Sequence, residues 1–340
     1  MMIALEEHFA LPETLGDSEQ YAISGTWGDL GDRLLDLGPG RLAEMDAHGI
    51  EIAVLSLNSP AVQAIPDAAT AAEVARRAND VLASAIARRP DRFAGFAALP
   101  MQDPDRASAE LTRAVRDLGL RGVLVNGFSQ IGSPDRVIYY DDPAYATFWA
   151  TVEDLGVPFY LHPRDPLLAR EPIYDGHPWL RGPAWAFAAE TALHALRLIT
   201  SGLFDRHPRL QLILGHLGEG IPYNVWRLDH RIRKGPRGIP ARRSVSEYLR
   251  SNVHLTTSGN FRTATLEAAI AEMGVGRIMF SVDYPFERTA DAVDWFATVD
   301  RPDAERAALA QENARALLKL PGPAVDRTLG RGQNIHPGDV

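Results

Sequence analysis

Short apolar runs rich in β-branched and aromatic residues recur along the chain, separated by stretches whose apolar residues repeat with helical spacing. The runs predict strands at Ile3–His8, Ile52–Leu57, Phe93–Leu99, Gly122–Asn126, Pro158–His162, Leu210–Gly215, Val253–Thr257 and Arg277–Val282. Between them, Ala68–Arg88 places Val74, Ala78, Val81, Leu82 and Ala85 on one helical face, and Pro104–Leu118 does the same with Leu111, Ala114, Val115 and Leu118. Strands that alternate with helices imply parallel pairing through right-handed crossovers. Eight such units in 340 residues predict an α/β protein, a (β/α)8 TIM-type barrel, a fold of about 250 residues before insertions. No G-x-G-x-x-G follows any of the strands, so a doubly wound dinucleotide fold has no support.

Two connections are long enough to be insertions after the first and fifth strands. Ala10–Gly49 holds a polar, Gly-rich stretch and then a predicted helix around Asp32–Ala47, and Pro163–Ala186 is dense in Pro, Gly, Trp and Tyr. Connections of this length in a compact domain usually serve as lids or pocket walls. Lys234–Arg243 reads as a basic loop. Residues 1–320 are expected to form one barrel domain, with a tail at 321–340 on the surface or against a neighbouring subunit.

Barrel enzymes of this kind work at the carboxyl ends of their strands, so the residue on which each strand finishes carries information. The first ends on Glu6 and His8, the second is followed by Asn58, the third by Gln102, and the fourth closes on Asn126. The fifth ends on His162, the sixth on His216, the seventh near Thr257 and Ser258, and the eighth on Asp283. Side chains two apart on a strand share a face, so Glu6 and His8 project together and Glu7 does not. Glu6, His8, His162 and Asp283 would offer one divalent ion two carboxylates and two imidazoles, with positions left for water or substrate. His216, three residues before Glu219, is placed for a carboxylate-oriented acid/base, and Asp283 could both ligate and carry a proton. Structural roles are expected for His48, His194, His207 and His254, and a charge network for Arg227 with Asp229, His230 and Arg231. His177 stays open.

Composition narrows the chemistry. The chain has no cysteine, which excludes thiolate zinc sites, iron–sulfur clusters, disulfides and cysteine nucleophiles together. Its lysines are Lys234 and Lys319 alone, neither placed for a Schiff base or a bridging carbamate. With 35 basic and 44 acidic side chains the formal charge is −9, which argues against nucleic acid and requires that an anionic substrate be attracted locally. No window approaches the roughly 18 apolar residues of a membrane helix, and the acidic start MMIALEEHF is unlike a signal peptide, so a cytoplasmic protein is expected.

In order along the chain stand ALEEHFALPET, LSLNSPAVQAIPD, RRANDVLA, RPDRFAGFAALPMQDP, LVNGFSQ, VPFYLHPRDPL, IYDGHPWL, ILGHLGEGIPY, TTSGNF and FSVDYPFE. This series, covering the chain to about Leu320, resembles the aromatic acid decarboxylases of the amidohydrolase superfamily. The resemblance implies an amidohydrolase-like distorted barrel with one divalent ion per subunit, Zn2+ or Mn2+ with Mg2+ as a further candidate, on Glu6, His8, His162 and Asp283. It implies no organic cofactor. It makes His216 with Glu219 the catalytic acid/base pair and brings Asn126, Arg227 and Phe286 to the substrate, with Arg227 reaching an adjacent subunit of a homotetramer built as a dimer of dimers; Asp283, between metal and ring, is the expected catalytic proton donor. Phe187 and Phe286 would wall the ring, and Tyr21 stands where the family has a pocket phenylalanine. Hydrolytic members open on H-x-H and often carry a bridging lysine; here E-x-H and the missing lysine disfavour two-metal hydrolysis. The expected reaction is reversible, non-oxidative decarboxylation of a small ortho-hydroxybenzoate, with 2,6-dihydroxybenzoate first and 2,3-dihydroxybenzoate or salicylate as alternatives. A metal-dependent lactone or amide hydrolase, or a barrel that has lost its chemistry, are the rival readings.

Overall fold

Apolar runs buried on both faces pair in parallel with their sequence neighbours, and crossover helices cover the outside. The computed structural model describes residues 1–22, 25–167 and 172–322. Its barrel strands are β1 (Met2–Phe9), β2 (Ile50–Leu57), β3 (Phe93–Gly95), β4 (Val123–Asn126), β5 (Phe159–His162), β6 (Leu212–Leu214), β7 (Val253–Thr256) and β8 (Ile278–Met279). The first three form one parallel ladder in the order β1-β2-β3, and the other five form a second, β8-β7-β6-β5-β4. A single parallel bridge between Ala97 and Val123 joins β3 to β4, with Ala97 N donating to Gly122 O at 2.9 Å. Between β8 and β1 the backbone contact is His8 N to Tyr284 O, 2.6 Å. All eight predicted strands are present, which makes the fold the expected (β/α)8 barrel.

Two strands are shorter than the hydrophobic runs suggest. The run Phe93–Leu99 pairs regularly only through Gly95, and Arg277–Val282 only at Ile278 and Met279. In the latter, Phe280 N leaves the ladder to bond Leu309 O at 2.8 Å, so apolar content extends further than the hydrogen bonding does. The helix expected at Asp32–Ala47 is two helices, Trp27–Leu35 and Pro39–Ala47. Asp36 makes the break by accepting from Gly38 N at 2.7 Å and Arg41 N at 2.8 Å, and Pro39 starts the second helix. A hairpin of Ser129–Ile131 and Ser133–Ile138 follows β4. Its outer strand is mostly exposed and polar, so it lacks the apolar signal by which the barrel strands are recognised.

The barrel interior holds Ile3, Leu5, Ile52, Val54, Ala94, Phe96, Leu124, Tyr160, Ile213 and Met279, closed at the amino end by Ala314 and Leu318 of the last helix, Asn313–Leu318. A larger apolar layer packs between strands and helices. No helix among the described residues is long and apolar enough to cross a membrane. The tail assigned to 321–340 lies outside the described residues from 323 onward, as do 168–171 of the second insertion and 23–24 of the first.

His194 and His254 have the structural places expected of them. His194 lies against the Tyr139 and Tyr140 rings and accepts from Tyr140 N at 3.3 Å. His254 Nε2 faces the Arg277 guanidinium at 2.9 Å. Burial, reinforced by Arg197 for one and Arg277 for the other, pushes each imidazole down to about 3 from 6.5. Both rings are therefore neutral when folded and take up protons on unfolding. Their contribution is complete above about pH 6.5 and is lost progressively as pH falls from there toward 3. His194→Gln, which keeps an acceptor, is expected to flatten the fall of the urea midpoint between pH 6.5 and 4.5; a slope equal to that of the parent chain would contradict this assignment.

Candidate active site

Parallel register brings the strand ends level, so residues far apart in sequence meet at the barrel mouth. Asn126 is the register partner of His162. Glu6 and His8 face the mouth because β1 contains a bulge: Ala4 pairs with Ala53 but Glu7 with Leu55, so β1 spends three steps where β2 spends two. Below the bulge Ile3 and Leu5 fill the barrel, and above it the inward parity passes to Glu6 and His8.

One ligand atom from each of Glu6, His8, His162 and Asp283 can be chosen so that all lie within 4.8 Å of one another. Glu6 Oε1 stands 3.1 Å from His162 Nε2, and His8 Nε2 stands 3.2 Å from Asp283 Oδ1. Glu6 is fully buried, yet Glu6 Oε1 and His8 Nε2 have no hydrogen-bond partner. Buried polar atoms left in this state are costly unless something between them takes their lone pairs. Two carboxylates with two neutral imidazoles carry a charge of −2, which a divalent cation balances, so the residues present fit the implied ion. Burial and neighbouring His8 hold the His162 imidazole below its ordinary pKa, in the neutral form a metal requires.

The atoms turned away from this point are fixed. Glu6 Oε2 accepts from the Tyr160 hydroxyl, from Ser258 Oγ at 2.5 Å and from Thr256 Oγ1 at 3.3 Å. That leaves Oε1 as the oxygen facing the cluster. Burial raises the Glu6 carboxyl, but His216, His162 and His8 outweigh it and keep the group well below the usual carboxylate range. His8 Nδ1 lies 3.3 Å from Ser56 Oγ, which directs Nε2 inward. Glu7, on the other side of β1, accepts from Val282 N at 3.1 Å, and burial pushes it up to about 8.

His216 and Glu219 form the expected pair, Nδ1 to Oε1 at 2.7 Å. The turn that joins them is unusual: residues 216–220 all have positive φ, including His216 at 52° and Glu219 at 54°. Three of the five are not glycine, so the conformation costs roughly 1–2 kcal/mol per residue and persists because Leu217 N bonds Thr256 O at 2.8 Å and the carboxylate holds the ring. Glu219 thus lies in a left-handed turn ahead of helix Ile221–Lys234. His216 Nε2 is 3.6 Å from Asp283 Oδ2 and 3.8 Å from Glu6 Oε1. Burial disfavours the imidazolium, but Glu219, Glu6 and Asp283 prevail and hold its pKa well above that of a free imidazole. Asp283 therefore turns Oδ1 to the ligand cluster and Oδ2 to His216.

Other predicted residues take varied places. Phe286 packs edge-on to His8 at 5.7 Å between ring centres. Tyr21 and Phe187 meet edge-on at 5.0 Å, and the Tyr21 hydroxyl donates to Asp165 Oδ2 at 3.3 Å, which links the two insertions. Asn126 Nδ2 donates to Asn58 O at 2.9 Å, while its Oδ1 is buried and unpartnered. Asn58 is occupied by Thr14 and Ser18, and Gln102 Nε2 by Val62 and Ile65 carbonyls, so both are structural. Arg227 is exposed on the outer helix, and no hydrogen bond or ion pair joins it to the cluster. Sequence reasoning missed Ser56, Tyr160, Thr256 and buried Arg41, whose Nη2 donates to His8 O at 2.6 Å. A hydroxyl within an otherwise apolar strand, as in LSL, is the signal that could have marked Ser56.

A family model described as amidohydrolase matches residues 30–320, and the chain belongs to that family. A gamma-resorcylate decarboxylase from Rhizobium radiobacter is 59% identical over 323 residues, covering 94% of this chain and 98% of that one. Among solved structures, a 2,6-dihydroxybenzoate decarboxylase complexed with 2,6-dihydroxybenzoate superposes with a TM-score of 0.92 at 59% identity, over 94% of this chain and 99% of that one. A dihydroxybenzoic acid decarboxylase from a Polaromonas species, with bound manganese and the inhibitor 2-nitroresorcinol, gives 0.92 at 55% identity, over 94% and 97%.

The close packing behind Glu6 allows a direct test. A Cβ on Gly215 would lie 2.6 Å from Glu6 Oε2 and 3.1 Å from Ser258 Oγ. Gly215→Ala is expected to displace the Glu6 carboxylate and weaken divalent-ion binding by about tenfold or more in a chelator competition; affinity equal to the parent's would contradict the ligand assignment of Glu6.

Proposed function

We propose that this chain is a metal-dependent carboxy-lyase that removes the carboxylate of 2,6-dihydroxybenzoate without oxidation, giving resorcinol and CO2 reversibly. The observation that carries this reading is the division of Asp283 between the ligand cluster and the His216–Glu219 pair, 3.2 Å to His8 and 3.6 Å to His216. Two of the relatives named above, the Rhizobium radiobacter enzyme and the decarboxylase complexed with 2,6-dihydroxybenzoate, carry this acid in their names.

Glu6, His8, His162 and Asp283 would hold the ion, and two imidazoles in the set favour Mn2+ or Zn2+ over Mg2+. Bound there, a divalent cation supplies positive charge for the carboxylate and ortho oxygen of the substrate, inside a chain whose net charge of −9 would otherwise repel it. Phe286 lines the ring beside His8, and Tyr21 with Phe187 closes it from the insertions. Asn126 Oδ1 is an acceptor with its amide already engaged, suited to a ring hydroxyl. Asp283 donates a proton to the ring carbon that carries the carboxylate. The bond to that carboxylate then breaks, its electron pair restores the aromatic ring, and CO2 departs. His216, oriented by Glu219, returns a proton to Asp283 from solvent, so one proton is consumed per carboxylate lost. No organic cofactor is required, because the ortho hydroxyl activates the ring.

The assembly proposed is a homotetramer, a dimer of dimers, in which Arg227 reaches the site of an adjacent subunit. Its support is the outer helix, where Tyr223 is 86% and Trp226 70% exposed beside Arg227.

Incubation of the manganese-loaded protein with 2,6-dihydroxybenzoate is expected to yield resorcinol by chromatography, with no acid released from aryl lactones. The opposite pattern would indicate the hydrolase. Asp283→Asn, shown by elemental analysis to retain its ion, is expected to lose about a thousandfold or more in kcat; substantial turnover would remove Asp283 as proton donor. Arg227→Ala is expected to raise KM with the tetramer mass preserved in sedimentation, and a monomeric parent would overturn the shared site.

A further inference from the structure

The ladder that encircles the barrel is interrupted between β8 and β1, and a side chain fills the gap. Ser281, fully buried two residues before Asp283, accepts with its hydroxyl oxygen from Glu6 N at 2.7 Å and from Leu5 N at 3.2 Å. These are consecutive amides that meet one acceptor, and both lie within the bulge of β1 between Ala4 and Glu7. The same hydroxyl donates to Glu7 Oε1 at 3.3 Å, so its two lone pairs and one proton are all used. Ser281 is itself held in place, its N–H donating to Thr257 Oγ1 at 2.9 Å and its carbonyl accepting from that hydroxyl at 3.0 Å.

We propose that Ser281 is a positioning residue for the metal centre: its hydroxyl pins the bulge that turns Glu6 and His8 inward and sets their distance from Asp283. Three of the four ligands lie on the two segments that this seam joins. If the bulge relaxed into regular pairing, alternation from Ile3 and Leu5 would direct Glu7 into the mouth in place of Glu6 and His8. Across this seam the backbone supplies one bond, His8 N to Tyr284 O, beyond the bulge, and the Ser281 hydroxyl supplies the restraint at the bulge itself. The proposal rests on the ligand assignment given above.

Ser281→Ala removes the acceptor, and Ser281→Cys replaces it with a near-isosteric, weak one. Mn2+ affinity by chelator competition, the visible spectrum of the Co2+-loaded protein, and melting temperature with and without Mn2+ are measured on the full chain and both variants. The expected result is affinity lower by about tenfold to a hundredfold, an altered Co2+ spectrum, and a smaller rise in melting temperature on adding Mn2+. Affinity and spectrum equal to the parent's in either folded variant, with melting temperatures lowered equally in the presence and absence of Mn2+, would show a packing role only and overturn the proposal. A parent chain that binds no Mn2+ or Co2+ would overturn the ligand assignment instead, which keeps the two failures distinguishable.

Discussion

Two carboxylates and two imidazoles held within 4.8 Å at the mouth of a closed barrel are the constraint to which the surrounding structure answers. Removed from water, the oxygen of Glu6 and the nitrogen of His8 that point inward have no hydrogen-bond partner in the protein, and a divalent cation bound between them would compensate both. The remaining atoms of the same side chains are tied to hydroxyls: Tyr160, Ser258 and Thr256 on one oxygen of Glu6, and Ser56 on the far nitrogen of His8. Those hydroxyls stand on strands β2, β5 and β7 and just beyond β7. The cluster is thus braced from around the barrel, and the cost of bringing like charges together is distributed over many strands.

Backbone irregularity is concentrated at the same end. The bulge in β1, the left-handed run at residues 216–220 and the positive φ of Asp283, 82°, all lie at residues that hold or adjoin the site. Regular strands would deliver their side chains in strict alternation, and the site asks for something alternation does not give: apolar Ile3 and Leu5 beneath Glu6 and His8 on one inner face. Each irregularity is held by specific hydrogen bonds, the bulge by Ser281 and the turn by Thr256 O and Glu219. Strain is tolerated where the barrel below is packed solidly enough to over-determine it.

The insertions complete what the barrel begins. Tyr21 from the first meets Phe187 and Asp165 of the second segment, and Arg41 returns from the first insertion to the carbonyl of His8. An aromatic rim over a charged floor suits a flat anionic ring, whose faces would meet Phe286 and whose polar edges would meet the proposed ion and Asn126.

Much of this was legible along the chain. Apolar runs at regular intervals gave eight strands, and polar residues at their ends marked Glu6, His8, His162, His216 and Asp283, because strand polarity puts carboxyl ends on one side of any parallel barrel. The absence of cysteine restricted the donors to nitrogen and oxygen. Periodicity could not show where pairing stops, since Phe280 stays apolar after its amide has left the ladder for Leu309. Nor could it show that Asn58 is consumed by Thr14 and Ser18, or that Ser56, Tyr160 and Ser281 sit behind the ligands. Local sequence determines which residues can alternate, ligate or titrate. Which of them share a partner depends on register and closure, and those are fixed only when strands distant in sequence are hydrogen-bonded to one another.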